Sequence, residues 1–326
     1  MKDQFGREIN YLRISLTDNC NLRCVYCMPL HDLQFVPTSE LLSITELEKI
    51  GHAAVEVGFN KIRLTGGEPT LRQDLVDIVR KLSNIDGINE ITMTTNGYRL
   101  PYIADDLLAA GMHRLNIHVD SLDHKRLSRL MRLGTLDKAW AGIHAAEKAG
   151  FSQIKLNVVI TRGYNDADAV ELARLTLTKS WQIRFIELMP FAGPSEIALN
   201  NYVSSDESKQ WIEDELGPLS PINGQALDGE ARVYRLADSV GTVGFISPIS
   251  NPYCDDCNRL RLTSDGRVRM CLLSDKELNF RNILRQDGSH QDLVTLFKQA
   301  IQAKPVGHQL KHGIHPENRT MSQIGG

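Results

Sequence analysis

No apolar run in this chain approaches the length needed to cross a bilayer, and no targeting segment is visible. The expectation is a cytoplasmic protein with no membrane role. An excess of one charge is also missing. Lys and Arg number 37 against 40 Asp and Glu, a net charge of −3. That argues against nucleic-acid binding but leaves room for local basic clusters that hold a phosphorylated small molecule. Repeats and low-complexity segments are absent. Cysteine is scarce, at six in 326 residues, too few in too long a chain for a disulfide-stapled mini-domain. A hydrophobic content of 42% and a charged content of 24% are ordinary for a globular protein of one or two domains.

The six cysteines are not scattered. Cys20, Cys24 and Cys27 form a C-x3-C-x2-C run, and Cys254, Cys257 and Cys271 a C-x2-C-x13-C set. Three thiolates so close can hold a four-iron cluster while falling one ligand short, which leaves one iron open. Two incomplete sets with no spare cysteine suggest two such clusters. Structural zinc is the rival, since C-x2-C pairs are common zinc ligands and His could complete either set. Zinc sites usually pair two such knuckles, however, and the first run crowds three sulfurs around one corner.

Six β-rich runs recur with amphipathic stretches between them: Tyr11–Leu16, Lys61–Thr65, Glu90–Thr94, Arg114–Val119, Gln153–Ile160 and Gln182–Glu187. Within Ile44–Val57, Leu47, Ile50, Ala54 and Val57 fall at helical spacing, Ser43 and Glu46 suit a capping box, and Gly58 a stop. Five crossovers between six strands predict a parallel α/β array, a partial (β/α)6 TIM-type barrel, with an open doubly wound sheet as the alternative. After Glu187 the alternation is lost. The expected division is 1–190 for the barrel and 191–326 for an extension with the second cysteine set. That extension reads as a helix near Ser204–Glu215 and antiparallel strands, including a hairpin whose Asp265-Gly266 turn brings Cys271 beside Leu260.

Chemistry in such barrels gathers at the C-terminal strand ends. Cys20–Cys27 follows the first strand, Thr65-Gly66-Gly67-Glu68-Pro69 the second, Thr94-Thr95-Asn96-Gly97 the third and His118-Val119-Asp120-Ser121 the fourth. Gly-Gly permits close backbone approach to a ligand, although before a helix it is often a plain turn. Arg13, Lys61, Arg63, Lys155 and Arg184 lie on the same strands, and Arg259 with Arg261 on a later one. Inward-pointing cations need an anion, and a di- or triphosphate suits several guanidiniums.

Tyr11–Cys20, Arg63–Pro69, Thr94–Gly97, Arg184–Met189, Cys257–Arg261 and the terminal Gly325-Gly326 together resemble the radical S-adenosylmethionine enzymes. Within them they resemble the molybdenum cofactor biosynthesis protein A family, whose activity is GTP 3′,8-cyclisation. The resemblance implies a 4Fe–4S cluster on Cys20, Cys24 and Cys27 that binds S-adenosylmethionine, with Tyr26, Gly67, His118 and Met189 at that cofactor. It implies a second 4Fe–4S cluster on Cys254, Cys257 and Cys271, facing the guanine. Arg13, Lys61, Arg63, Thr94, Lys155 and Arg184 match positions for GTP, largely its triphosphate. Arg259 and Arg261 match positions that bind substrate and assist catalysis, and Gly325 and Gly326 a tail that enters the active site. The family usually has Ser where this chain has His118, whose imidazole can also donate or accept a hydrogen bond. Implied partners are an electron donor such as flavodoxin or ferredoxin and the next pathway enzyme, cyclic pyranopterin monophosphate synthase. A homodimer is left open.

Overall fold

The structure, a computed structural model, describes residues 1–31, 33–191, 199–222, 227–286, 288–310 and 314–325. Strands β1 (Tyr11–Ser15), β2 (Lys61–Thr65), β3 (Glu90–Thr95), β4 (Arg114–His118), β5 (Ile154–Ile160) and β6 (Gln182–Glu187) fall within a residue or so of the expected runs. Helices α1 (Ile44–Glu56), α2 (Leu75–Ser83), α3 (Leu100–Ala109), α4 (His124–Met131), α5 (Leu136–Ala149) and α6 (Ala169–Arg174) connect them. The capping box of α1 forms, with Ser43 and Glu46 bonded reciprocally. Beyond its C-terminus Gly58 adopts a φ of +101°, the left-handed stop a glycine makes without strain.

The strands lie in chain order from β1 to β6, all parallel. A doubly wound sheet reverses its order at a switch point. None occurs here, so the array is the partial barrel.

The remainder of the chain departs from the antiparallel reading in one respect. It contributes β7 (Ser220–Pro221), β8 (Leu227–Asp228), β9 (Ala231–Arg235), β10 (Thr242–Ile246), β11 (Arg259–Leu262), β12 (Arg267–Arg269) and β13 (Glu277–Asn279). It also adds α7 (Ser205–Leu216), α8 (Phe280–Arg285) and α9 (His290–Gln302). Strand β10 joins β6 and β11 joins β1, both in parallel. The parallel arc is therefore eight strands long, and β9 and β12 flank it antiparallel. Its ends do not pair with each other among the described residues, so the barrel stays open. Strand direction depends on the partner chosen in space, which local pattern does not encode.

Alternation along the strands divides two environments. Leu12, Ile14, Ile62, Leu64, Ile91, Met93, Leu115, Ile117, Leu156, Val158, Ile183 and Phe185 join one buried core with the helices. Each such side chain contributes roughly 1.5–3 kcal/mol on full burial. The opposite face, toward the barrel axis, carries Arg13, Arg63, Thr94, Asn116, Asn157 and Arg184, polar residues that are buried except for the half-buried Thr94.

The hairpin β11–β12 carries a second correction. Its loop is the three residues Ser264-Asp265-Gly266: Thr263 N donates to Arg267 O at 2.8 Å, and Gly266 has φ +80°. The Thr263 hydroxyl accepts from Arg267 N at 2.8 Å and donates to Asp265, which favours the longer loop. The register becomes Arg261 opposite Arg269, so Cys271 falls level with Arg259 rather than Leu260. Cys271 thereby shares the face of the two arginines.

Candidate active site

The first cysteine run is held from two sides. The last carbonyls of a helix have no intrahelical donors. In α4 those of Met131 and Leu130 accept from Arg23 N (3.2 Å) and Val25 N (2.9 Å). On the other side Gly67 N donates to Thr17 O at 2.6 Å and Glu68 N to Asn19 O at 2.8 Å. A Cβ on Gly67 would lie 2.5 Å from Asp18 O and collide with Asn19 O; one on Gly66 would lie 2.5 Å from Thr17 O. The expected close approach at Gly-Gly is thus made to the backbone that leads into Cys20.

Cys20, Cys24 and Cys27 line an open cavity of about 1270 Å³ together with Tyr26, Gly67, His118 and Met189. Arg13, Arg63, Thr94, Asn116 and Arg184 line its deeper wall. Cys254, Cys257 and Cys271 line an adjoining space of about 540 Å³ with Arg259, Lys304 and Met270. The two share Met189, Tyr253, Arg261 and Leu272 as a common wall. All six cysteines are free thiols. Among the described residues no three His, Cys, Asp or Glu side chains close on one point as a single ion demands. A cluster with a separate iron for each thiolate needs no such convergence, and three free thiols lining one space are the donor set it takes.

The triplets stand in different fields. Burial, with Glu68 nearby, pushes the Cys20 thiol up to about 11; burial and Cys20 push Cys27 up to about 12, and Cys24 is also raised. Burial opposes ionisation of Cys257 too, but Arg259 and Lys304 outweigh it and bring that thiol down to about 7. Lys304 is buried and donates to Arg259 O (2.9 Å) and Met270 O (2.8 Å). The Cys254 loop is pinned by Arg7, which donates to Cys254 O at 2.8 Å and Val306 O at 2.9 Å.

His118 sits beside the first triplet. Its Nε2 meets the Tyr26 hydroxyl and lies 2.9 Å from Asp120 Oδ2, to which Tyr26 donates at 2.5 Å. Burial lowers the affinity of His118 for its proton, but the Asp120 charge outweighs that and raises it.

The cations gather as the strand faces require, with one exception. Arg261, Arg13 and Arg63 are in register on β11, β1 and β2, side by side at a strand spacing of roughly 4.8 Å. Like charges so placed repel unless an anion joins them. Burial, Arg13 and Arg259 push Arg261 down to about 9. Arg63 donates to Tyr11 and, at 3.3 Å, to Thr94 Oγ1. Turned with its amide oxygen toward the cations, Asn116 accepts from Arg63 (2.5 Å) and Arg184 (3.0 Å). Lys155 is buried on the inner face but lies below the cavity wall. Lys61 is the exception. It starts β2, its side chain is 46% exposed, and it pairs with Glu90 at 3.8 Å. Its face is the expected one, but it stands at the wrong end of the strand to line the cavity.

The tail reaches the same place. Arg261 donates to Gly325 O at 3.0 Å. Gly325 has φ +69°, and a Cβ there would collide with Thr65 Oγ1 and stand 2.9 Å from Ser15 Cβ. Arg319 anchors the approach through Asp265 (2.9 Å) and Glu277 (2.7 Å). Gly326 lies outside the described residues, as do residues 192–194 of the loop after Met189.

Sequence reasoning missed Asn116, Asn157, Tyr253, Lys304 and Glu230. Asn116 and Asn157 carry a legible signal, since each is polar and lies between apolar residues in a strand. Glu230, in the turn after β8, carries none.

Two family profiles divide the chain: "Radical SAM superfamily" matches residues 14–176 and "Molybdenum Cofactor Synthesis C" residues 181–310. Among curated relatives, the GTP 3′,8-cyclase of Pelotomaculum thermopropionicum is 45% identical over 326 residues, and that of Moorella thermoacetica 43%. Both alignments cover 100% of each chain. Among solved structures, Streptococcus suis SuiB bound to S-adenosylmethionine shares the fold, with a TM-score of 0.63 at 14% identity. That match covers 93% of this chain and 76% of SuiB. Two cysteine triplets in adjoining spaces, an arginine-lined barrel interior and full-length identity above 40% agree: the chain belongs to the radical S-adenosylmethionine superfamily and, within it, to the GTP 3′,8-cyclase family.

Proposed function

We propose that this protein converts GTP to (8S)-3′,8-cyclo-7,8-dihydroguanosine 5′-triphosphate, the first committed step of molybdenum cofactor biosynthesis. The observation that carries the reading is the row of Arg261, Arg13 and Arg63, with Arg184 on the same inner face, between two cysteine triplets. A polyphosphate can span these guanidiniums through paired, charge-assisted hydrogen bonds. Cys20, Cys24 and Cys27 hold the first 4Fe–4S cluster, with Tyr26, Gly67, His118 and Met189 around S-adenosylmethionine; Cys254, Cys257 and Cys271 hold the second. When bound, the clusters and S-adenosylmethionine supply the radical chemistry, and the protein orients it. Arg13, Arg63, Thr94 and Arg184 bind the triphosphate, with Lys155 beneath them and Lys61 left out. Arg261, at the wall between the two spaces, and Arg259, in the second of them, orient the guanine end, and the tail closes on Arg261 through Gly325.

Residues 1–190 then act mainly on the cofactor and 191–326 on the nucleotide base. We take the electron donor to be a flavodoxin or ferredoxin and the recipient of the product to be cyclic pyranopterin monophosphate synthase. No described helix is long and apolar enough to cross a membrane. We take the cytoplasm as the compartment because exposed clusters need reducing conditions.

The test is anaerobic. Iron and sulfide are restored, the protein is reduced, and 5′-deoxyadenosine is quantified with and without GTP. Formation that rises strongly with GTP is expected; formation indifferent to GTP would reject the substrate. Cys271→Ser is expected to retain some cleavage of S-adenosylmethionine while blocking formation of the cyclised nucleotide. Cyclisation at the normal rate in that variant would reject the assigned role of the second triplet.

Gly325→Ala is expected to lower cyclised product about tenfold or more, since a side chain at this φ carries roughly 1–3 kcal/mol of strain and meets Thr65 and Ser15. Faster hydrogen exchange over Met321–Gly325, measured by mass spectrometry, should accompany the loss.

A further inference from the structure

Glu230 is a carboxylate in the space where a substrate's phosphates belong. It follows Gly229 (φ +69°) at the turn of the β8–β9 hairpin, and its side chain is only 9% exposed. Oε1 lies 3.0 Å from Arg13 Nη1 and also meets Arg259 Nη1, and Oε2 lies 3.4 Å from Arg184 Nη2. Burial works against its charge, but Arg259, Arg13, Arg184 and Arg63 outweigh that and hold the carboxyl well below its usual range. Glu230 also lines the cavity shared by the first triplet and the arginines.

Two features show that this carboxylate does not fill the seat. Arg259 keeps Nε and Nη2 buried with no hydrogen-bond partner among the described residues. Arg261, in register with Arg13, reaches the tail carbonyl instead. A carboxylate offers two oxygens; a polyphosphate offers many and can reach guanidiniums that Glu230 does not touch. Both anions cannot hold the same donors of Arg13, Arg184 and Arg259, because like charges at such a separation repel strongly in a buried site. The support of Glu230 also favours exchange. Strand β8 is two residues long and, among the described residues, pairs only with β9, off the main path of the sheet.

We propose that Glu230 is a resident counter-anion that neutralises the arginine seat of the empty enzyme and must be displaced for a polyphosphate to bind. The inference rests on the proposed function, in that it takes these arginines as the triphosphate seat. Displacement imposes the same penalty on every anion that needs the seat, as with any binding-competent state that is only partly populated. A triphosphate overcomes it through its added contacts. A single phosphate stays below its threshold, so Glu230 sets which anions the site accepts.

The test uses the holoenzyme with both clusters restored, by anaerobic calorimetry at fixed ionic strength. Glu230→Gln is expected to bind GTP and inorganic tripolyphosphate about tenfold more tightly, or more. Binding of guanosine, which lacks the anion, should be unchanged. Equal or weaker binding of GTP by the variant, with normal binding by the wild type, would overturn the counter-anion while leaving the substrate reading intact. Binding of neither ligand by either protein would reject the triphosphate seat itself. A second measurement needs no variant: GTP added to the wild type should speed hydrogen exchange over residues 227–235 while it slows exchange in β1 and β2. Slower or unchanged exchange in the hairpin would overturn the proposal.

Discussion

Cys24→Ser is expected to abolish cleavage of S-adenosylmethionine and, with it, formation of the cyclised nucleotide. Cys24 is the middle cysteine of the first triplet and the most buried of the three. Its carbonyl accepts from both Cys27 N (2.9 Å) and Met28 N (3.2 Å), so the turn that presents the thiols is centred on it. Serine keeps that backbone turn but replaces a soft thiolate with an alcohol that remains protonated near neutral pH. Removing an outer-sphere partner of a metal ligand costs roughly 10–100-fold, and the loss of a ligand in a set already one short must exceed that. The measurement is 5′-deoxyadenosine per reconstituted protein, read beside iron content and the visible absorption of the clusters. The variant should lose the iron of the first cluster and keep that of the second. Cleavage at a tenth of the wild-type rate or more would show that the first triplet is not the cofactor's anchor.

The second large effect is expected from Gly67→Ala, a change of one methyl group at a residue that ligates nothing. The added carbon would stand 2.5 Å from Asp18 O and overlap Asn19 O. Neither is the far end of a flexible side chain, so the backbone of Thr17–Asn19 or the Gly66–Glu68 turn must move. Overpacking of this kind typically costs 1–3 kcal/mol. The greater harm is positional, because Asn19 precedes Cys20 and Glu68 is bonded to Thr95 Oγ1 (2.6 Å) and Asn96 N (2.7 Å). A displacement of about 1 Å at a reacting centre can cost about 100-fold. The expected result is a loss near that size in S-adenosylmethionine cleavage, with a weaker Kd for the cofactor and a melting temperature lowered by only a few degrees. A normal Kd would mean that the cysteine loop accommodates the methyl.

Much of this was legible before any coordinates. The six barrel strands were readable because strand alternation and the loops that punctuate it are local properties, and α1 because its cap, apolar stripe and terminal glycine agree. The candidate cations were legible as residue types on strands, and for Arg13, Arg63, Arg184, Arg259 and Arg261 the inward face was the right one. Lys61 shows where that logic stops. Parity tells which face a side chain takes, not how far along the barrel axis the cavity reaches, and Lys61 starts its strand paired with Glu90. The hairpin shows a similar limit. An Asp-Gly pair fits a two-residue turn, but the Thr263 hydroxyl bonds select a three-residue loop and shift Cys271 by one position.

The sequence by itself determined the parallel β/α array, the two cysteine triplets, the glycine turn and the chemical class, because each is carried by residues near one another along the chain. Tertiary structure alone decided that β10 and β11 extend the parallel arc, that the spaces lined by the two triplets adjoin, and that Gly67 serves the cysteine loop. It alone brought Glu230 among Arg13, Arg184 and Arg259, which lie far from it and from one another in the chain. The physical reason is common to these cases. Which strands pair, which cavities meet and which charges face each other are settled by long-range packing, and no local run of residues records the partner.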